Sequence, residues 1–162
     1  QGLPSKEGGY ERTEVRTPMQ WSHAPNAGFS TAPADRLYLP VEGDLGDRTV
    51  ADQEGDPNSL LNTVRRLVDL RRAHPALCNH SEFSLLYAEA GRYPLVYLRQ
   101  GDGEKIVVAV NPADRPVEVV LPGVDGGPDG IKTLFGPEDG LTREGGQLCV
   151  RLPGISAGVY QV

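Results

Sequence analysis

The chain has 162 residues, 38% of them hydrophobic and 23% charged, and a formal net charge of −6. This length fits one ordinary domain with an appendage and falls far short of the ~250 residues of a complete eight-stranded α/β barrel. The acidic balance argues against nucleic acid or an anionic membrane as a partner, because both favour a basic face, and no apolar run is long enough to span a bilayer.

Residues 1–55 show neither a helical nor a strand period. Glycine, proline and acidic residues break every apolar run, as at Gly8-Gly9, Ala24-Pro25-Asn26 and Glu42-Gly43-Asp44. The segment nevertheless carries Tyr10, Met19, Trp21, Phe29, Leu37, Tyr38 and Leu39. That is more large apolar surface than a disordered tail holds, so a long packed loop is expected, with part of its packing partner elsewhere. Its acids, among them Asp44, Asp47, Asp52 and Glu54, are expected to be solvated.

A helix follows. Asp56 is the expected N-cap, with Pro57 in the first turn. Leu60, Leu61, Val64, Leu67 and Val68 form one apolar stripe, and Pro75 stops the helix soon after Ala73. The stripe is expected to pack on the loop or on the segment that follows.

Beyond Cys78 the pattern changes to period two with β-branched residues. Strands are predicted at Phe83–Ala88, Leu95–Gln100, Lys105–Asn111, Val117–Leu121, Lys132–Phe135, Gln147–Leu152 and Gly158–Val162, with glycine-rich turns between them, including Gly123–Gly130. Short strands at this spacing indicate an antiparallel sandwich or barrel. Val107, Ala109, Val117, Val119 and Leu121 are the expected inward positions. The run Ile106-Val107-Val108-Ala109-Val110, apolar on both faces, marks a central strand. The fold class is therefore mainly β: an antiparallel β-sandwich preceded by a long loop and one amphipathic helix.

Little in these residues specifies chemistry by itself. His23, His74 and His80 make no metal motif, and neither a phosphate-binding loop nor a Ser–His–Asp pattern is present, so no metal or cofactor is expected. Cys78 and Cys149 are expected to be reduced and largely buried. With no signal-peptide pattern at Gln1-Gly2-Leu3-Pro4-Ser5-Lys6, the expected location is cytoplasmic. Tyr87, Tyr93 and Tyr97 raise one alternative: a stand-alone carbohydrate-binding β-domain with an aromatic platform.

The sharper signal is Arg16-Thr17-Pro18-Met19-Gln20-Trp21 followed by Asn26-Ala27-Gly28-Phe29-Ser30. The pair resembles the signature of α-glucosidase-type members of the α-amylase superfamily, in the oligo-1,6-glucosidase and trehalose-synthase branch. The resemblance implies that residues 1–55 are the loop after the last strand of a catalytic barrel. Residues 56–77 are then the barrel's last helix, and residues 78–162 an antiparallel C-terminal sandwich. It also implies a parent enzyme that hydrolyses α-glucosidic bonds of short oligosaccharides with retention. The superfamily's three catalytic acids lie in motifs absent from this chain, so no catalytic residue is assigned and the chain alone is expected to be non-catalytic. The implied partners are the catalytic barrel and, in the intact enzyme, an α-glucoside substrate.

Arg16 is the one substrate-binding residue that the resemblance implies, reaching the non-reducing glucose of the first subsite. A structural Arg paired with an acid is the competing reading. Trp21 is expected to pack the loop against the barrel. Where many relatives carry a Trp and then apolar residues, this chain has Leu37-Tyr38-Leu39-Pro40-Val41, which leaves its subsite lining open. A parent that isomerises or transfers glucosyl units, like trehalose synthase, carries the same signature and is the alternative enzyme.

Overall fold

The structure, a computed structural model, describes residues 17–41, 43–121, 123 and 130–162. Arg16 and most of the expected turn over 123–130 lie outside them. The described residues fall into two compact units that part between Leu67 and Val68.

In the first unit the chain runs through two 3-10 turns, Pro25–Gly28 and Ala34–Arg36, to helix α1 (Val50–Gly55) and the start of helix α2 (Leu60–Ala73). Helix α1 departs from the expected structureless loop. Thr49 caps it: its hydroxyl accepts from Asp52 N (3.2 Å), and the Asp52 carboxylate accepts from Thr49 N (3.1 Å). This reciprocal box satisfies two amide donors at the helix start. Asp52, expected to be merely solvated, is thus part of a cap.

The start of α2 is also displaced from expectation. Asp56 accepts from Asn58 N (2.8 Å) in a local turn, and Ser59 takes the capping role, its Oγ accepting from Asn62 N (3.2 Å). The Gln53 side chain covers a further orphan donor, Leu61 N (3.1 Å). Asn62 Nδ2 donates to the carbonyls of Gln53 and Asp56, both at 2.8 Å, and ties the α1–α2 corner together.

The apolar stripe of α2 does not pack as expected. Leu60, Val64, Leu67 and Val68 are 75%, 49%, 37% and 42% exposed. Their periodicity is nevertheless that of a packed face.

The second unit is all antiparallel sheet. Its strands are β1 (Glu82–Glu89), β2 (Arg92–Gly101), β3 (Glu104–Asn111), β4 (Val117–Leu121), β5 (Lys132–Phe135), β6 (Leu141–Glu144), β7 (Gln147–Leu152) and β8 (Ser156–Gln161). They form a five-stranded sheet in the order β1-β2-β3-β8-β5 and a three-stranded sheet in the order β4-β7-β6. All seven predicted strands are present; β6 was not anticipated.

The two sheets face each other across a core of Val96, Val107, Ala109 and Tyr160 from the larger and Leu121, Leu141, Leu148, Val150 and Leu152 from the smaller. Val117 and Val119 pack against its margin. This is a β-sandwich, with residues of both sheets turned inward to one core. Strand β3 is buried on both faces, as its apolar run requires: Ile106 and Val108 belong to a second cluster on the outer face, with Ala76, Val159, Leu70 and Leu77.

Tyr160 is fully buried, and its hydroxyl donates to the Pro137 carbonyl (3.1 Å). The ring occupies space that only glycine leaves open, since a Cβ at Gly140 or Gly158 would collide with it. Asn111, 1% exposed, has both side-chain polar atoms hydrogen-bonded. Its Nδ2 donates to the carbonyls of Arg115 (2.9 Å) and Pro153 (2.7 Å), and its Oδ1 accepts from Ala113 N (3.1 Å). A buried amide so satisfied fixes the β3–β4 connection.

Candidate functional site

The described part of the signature, Thr17 to Ser30, is a backbone construction. The carbonyls of Gln20 and Trp21 accept from Val50 N (2.9 Å) and Ala51 N (3.0 Å), the first two donors of α1. Together with the Thr49–Asp52 box they satisfy donors that a helix start would otherwise leave open.

The other end of the signature closes on itself. Trp21 N (2.8 Å) and Ser22 N (3.1 Å) both donate to the Ala27 carbonyl, and Asn26 Nδ2 donates to the carbonyls of Ser30 (2.9 Å) and Ala32 (2.8 Å). The turn needs three successive left-handed residues, Asn26, Ala27 and Gly28, with φ of 54°, 54° and 69°. Asparagine and glycine adopt that region readily, whereas for Ala27 it costs ~1–2 kcal/mol. The two bonds to its carbonyl and its burial offset that strain. At Gly28 a Cβ would also press on Ser22 Oγ.

The loop's large side chains are left open. Met19, Trp21, Phe29 and Tyr38 are between 49% and 80% exposed. An open cavity of about 240 Å3 is lined by Thr17, Pro18 and Met19 on one side and by Leu37, Tyr38 and Leu39 on the other, with Phe29. The divergent run after the signature therefore forms one of its walls. Among the described residues the lining offers apolar contact and the hydroxyls of Thr17 and Tyr38, and no carboxyl group.

The charged groups nearby have structural partners. His23 Nε2 lies 3.0 Å from Asp52 Oδ2. The Asp52 carboxyl is held below its ordinary value first by the Thr49 hydroxyl, against an opposing desolvation, and then by His23. Glu54 pairs with Arg65 at 3.0 Å.

In the second unit His74 Nδ1 meets Glu104 Oε1 at 2.5 Å, and both side chains are largely buried. Glu104 also accepts from Ala76 N (3.2 Å) and Gln161 Nε2 (3.2 Å), while Arg99 donates to the carbonyls of Ala76 and Cys78. The histidine that stands near Cys78 and His80 in sequence is therefore part of a clamp holding the turn Pro75–Leu77 on the sheet. Residues 30 apart assemble that clamp, and no local pattern announces it. Among the described residues no group of three or more His, Cys, Asp or Glu is placed to hold a metal ion. Both cysteines are free, Cys149 buried and Cys78 only partly so.

The three tyrosines of the proposed platform do not share one face. Tyr97 pairs with Val108, lies against the Phe83 ring and packs on the outer cluster; Tyr87 pairs with Val96 and packs on the inner core. Tyr93 stands exposed at the start of β2. Among the described residues no helix is long and apolar enough to cross a membrane.

Comparison with known proteins agrees with both units. Residues 3–80 match the family described as "Alpha amylase, catalytic domain", and residues 83–158 match "Maltogenic Amylase, C-terminal domain". A trehalose synthase of Thermus thermophilus is 39% identical over 105 residues, which cover 62% of this chain and 11% of that protein. A probable alpha-glucosidase of Rhizobium meliloti is 36% identical over 111 residues, covering 68% and 19%. The crystal structure of the trehalulose synthase from Pseudomonas mesoacidophila matches with a TM-score of 0.72 and 28% identity, over 93% of this chain and 26% of that one. This chain thus spans only 11% to 26% of the length of these relatives.

Proposed function

Because this chain belongs to the α-amylase superfamily, we infer that it forms the C-terminal part of a retaining α-glucosidase-type hydrolase acting at the non-reducing end of short maltose- or isomaltose-type substrates. In this reading residues 1–55 are the last barrel loop, 56–77 the last barrel helix and 78–162 the C-terminal sandwich.

The observation that carries the reading is the form of the signature loop. Its backbone is fixed from within the chain, yet Met19, Trp21, Phe29 and Tyr38 remain open. Large apolar groups held in an ordered loop suit a surface completed by another body of the same protein. The exposed stripe of α2 supports the same partner, a catalytic barrel.

Retaining glycoside hydrolysis needs two carboxyl groups ~5–5.5 Å apart, one as nucleophile and one as acid and then base. Here the barrel supplies both, and this chain is non-catalytic by itself. Its contribution is position. Arg16 offers the planar donors of a guanidinium to adjacent hydroxyls of the first-subsite glucose. Gln20 and Trp21, held on α1, fix where the signature stands. The sandwich stabilises the barrel's last helix. The two free cysteines accord with a reducing, cytoplasmic location.

A second reading draws on the Thermus thermophilus relative, a trehalose synthase. The same chain then serves an enzyme that passes the glucosyl unit to a sugar instead of to water. Purified intact enzyme decides between them. Glucose released from an aryl α-glucoside and from maltose supports the hydrolase, and trehalose made from maltose supports the second reading. No turnover of any of these sugars overturns both. In the intact enzyme Arg16→Ala lowers kcat/KM by about tenfold or more, the loss of one charged hydrogen bond. An unchanged value removes Arg16 from the site.

A further inference from the structure

We propose that a cleft at one end of the β-domain is an accessory binding site for a neutral oligosaccharide of α-linked glucosyl units. Its location rests on the structure alone; the choice of α-linked glucose rests on the functional reading above. The cleft encloses about 320 Å3, inside the ~300–1,000 Å3 range of small-ligand sites. On one side are Tyr87 of β1 and Arg92 and Tyr93 of β2. On the other are Arg115, in the β3–β4 connection, and Val117 and Glu118 of β4. All of these residues belong to the second unit, and the mechanism above does not use them.

Three features suit it to a sugar. First, it combines aromatic bodies with planar donors and a carboxylate acceptor. Tyr93 is 50% exposed where the cleft opens. The C–H faces of a glucose ring are apolar and lie against such side chains, while its hydroxyls need directional polar partners at the edges.

Second, the polar groups are held before any ligand arrives. Glu118 accepts from Arg151 at 2.8 Å, and Arg92 lies 3.2 Å from Glu89. The connection that carries Arg115 is pinned by the three bonds of Asn111 and by Ile155 N donating to the Ala113 carbonyl (2.7 Å). Groups already fixed lose little freedom on binding.

Third, the lining sets one carboxylate, Glu118, beside two guanidinium groups, Arg92 and Arg115. Two of the charged lining residues, Arg92 and Glu118, already have partners of opposite sign, and the Glu118 carboxylate repels an anionic ligand. A neutral polyol is the ligand proposed, and phosphate, drawn by Arg115, is the competing outcome of the test.

The 162-residue chain, labelled for amide NMR, is titrated with maltohexaose. Saturable shifts confined to residues 87, 92–93 and 113–118, with a Kd on the order of 1 mM, are expected. Tyr93→Ala weakens binding by about tenfold or more, the scale of a lost aromatic contact, and Arg115→Ala weakens it severalfold. Both side chains are exposed, so the melting temperature of each variant stays that of the parent. Four results overturn the proposal: no saturable shift, binding unaltered in both variants, equal binding of cellohexaose, or inorganic phosphate binding in place of the sugar. An intact enzyme that hydrolyses α-glucosides while this chain binds no glucan refutes the cleft alone. Binding without any turnover refutes the functional reading and keeps the cleft.

Discussion

Replacing Tyr160 by Phe removes a single hydroxyl from the centre of the sandwich, and the structure fixes how much should be lost. The hydroxyl donates to the Pro137 carbonyl, which also accepts from Gly140 N at 3.2 Å. The substitution therefore orphans no acceptor. The cost is one net hydrogen bond, about 0.5–1.5 kcal/mol, not the larger penalty of a buried unpaired group.

The pH dependence is more discriminating. Burial pushes the Tyr160 pKa from 10.0 up to about 12, helped by the negative charges of Asp139 and Glu138. The folded chain keeps a proton that the unfolded chain releases above about pH 10, so unfolding is favoured as pH rises from 10 to 12. The stabilisation is complete below pH 10, declines by roughly 1–1.5 kcal/mol by pH 11 and by 2–3 kcal/mol beyond pH 12. Phe has no such dependence. Urea unfolding of both proteins, followed by circular dichroism, should show wild type ahead by about 1 kcal/mol at pH 8 and level or behind at pH 11. Groups that titrate in both proteins cancel in the difference. A wild-type advantage that stays constant between the two pH values would refute the reasoning.

Gly158→Ala places a methyl group against the Tyr160 ring, and a loss of about 1–3 kcal/mol, seen as a lower thermal midpoint, is expected; an unchanged midpoint would mean that the ring has room to move. Glu104→Ala removes the acceptor shared by His74, Ala76 N and Gln161 and should cost about 1.5–3 kcal/mol in urea titrations, whereas a cost near zero would show that the clamp holds nothing. Leu60→Ala, at an exposed stripe position, should leave the stability of this chain within about 0.5 kcal/mol; a loss of several times that amount would mean that the residue is covered after all.

Much of the β-domain was legible because its information is local. Val107 and Ala109 alternate with Ile106 and Val108, and the turns between strands carry their glycines and prolines in plain view. Strand β6 escaped because it has one apolar residue, Leu141, although Gly145-Gly146 between Glu144 and Gln147 was a readable hairpin signal joining it to β7. Helix α1 is too short for a period, yet Thr49 and Asp52, three apart, were a readable capping signal. The cap of α2 was misplaced because Asp56-Pro57-Asn58-Ser59 offers two capping residues, and only the hydrogen bonds show that Asp56 is spent on a turn. The stripe of α2 was read correctly as a period, yet four of its positions are 37% to 75% exposed. Periodicity reports that a helix has an apolar side, not which polypeptide covers it. Of the candidate site, the signature was plain, but its left-handed turn and its bonds to α1 run through backbone atoms that side-chain identity does not encode.

The position of β8 has a consequence for how the domain comes to be folded. It is last of the eight strands in sequence, yet it lies inside the larger sheet, between β3 and β5, and pairs with β3 about fifty residues away. A polypeptide emerging from the ribosome can form the β1-β2-β3 meander by hairpin closure alone. The far edge of β3 then waits, apolar on both faces and unpaired, until β8 has been made. During that interval β3 is the segment most open to adding a strand from another chain. Closure depends on a distant pairing whose entropy is lost before any contact repays it, so β8 docking is the step expected to limit the folding rate.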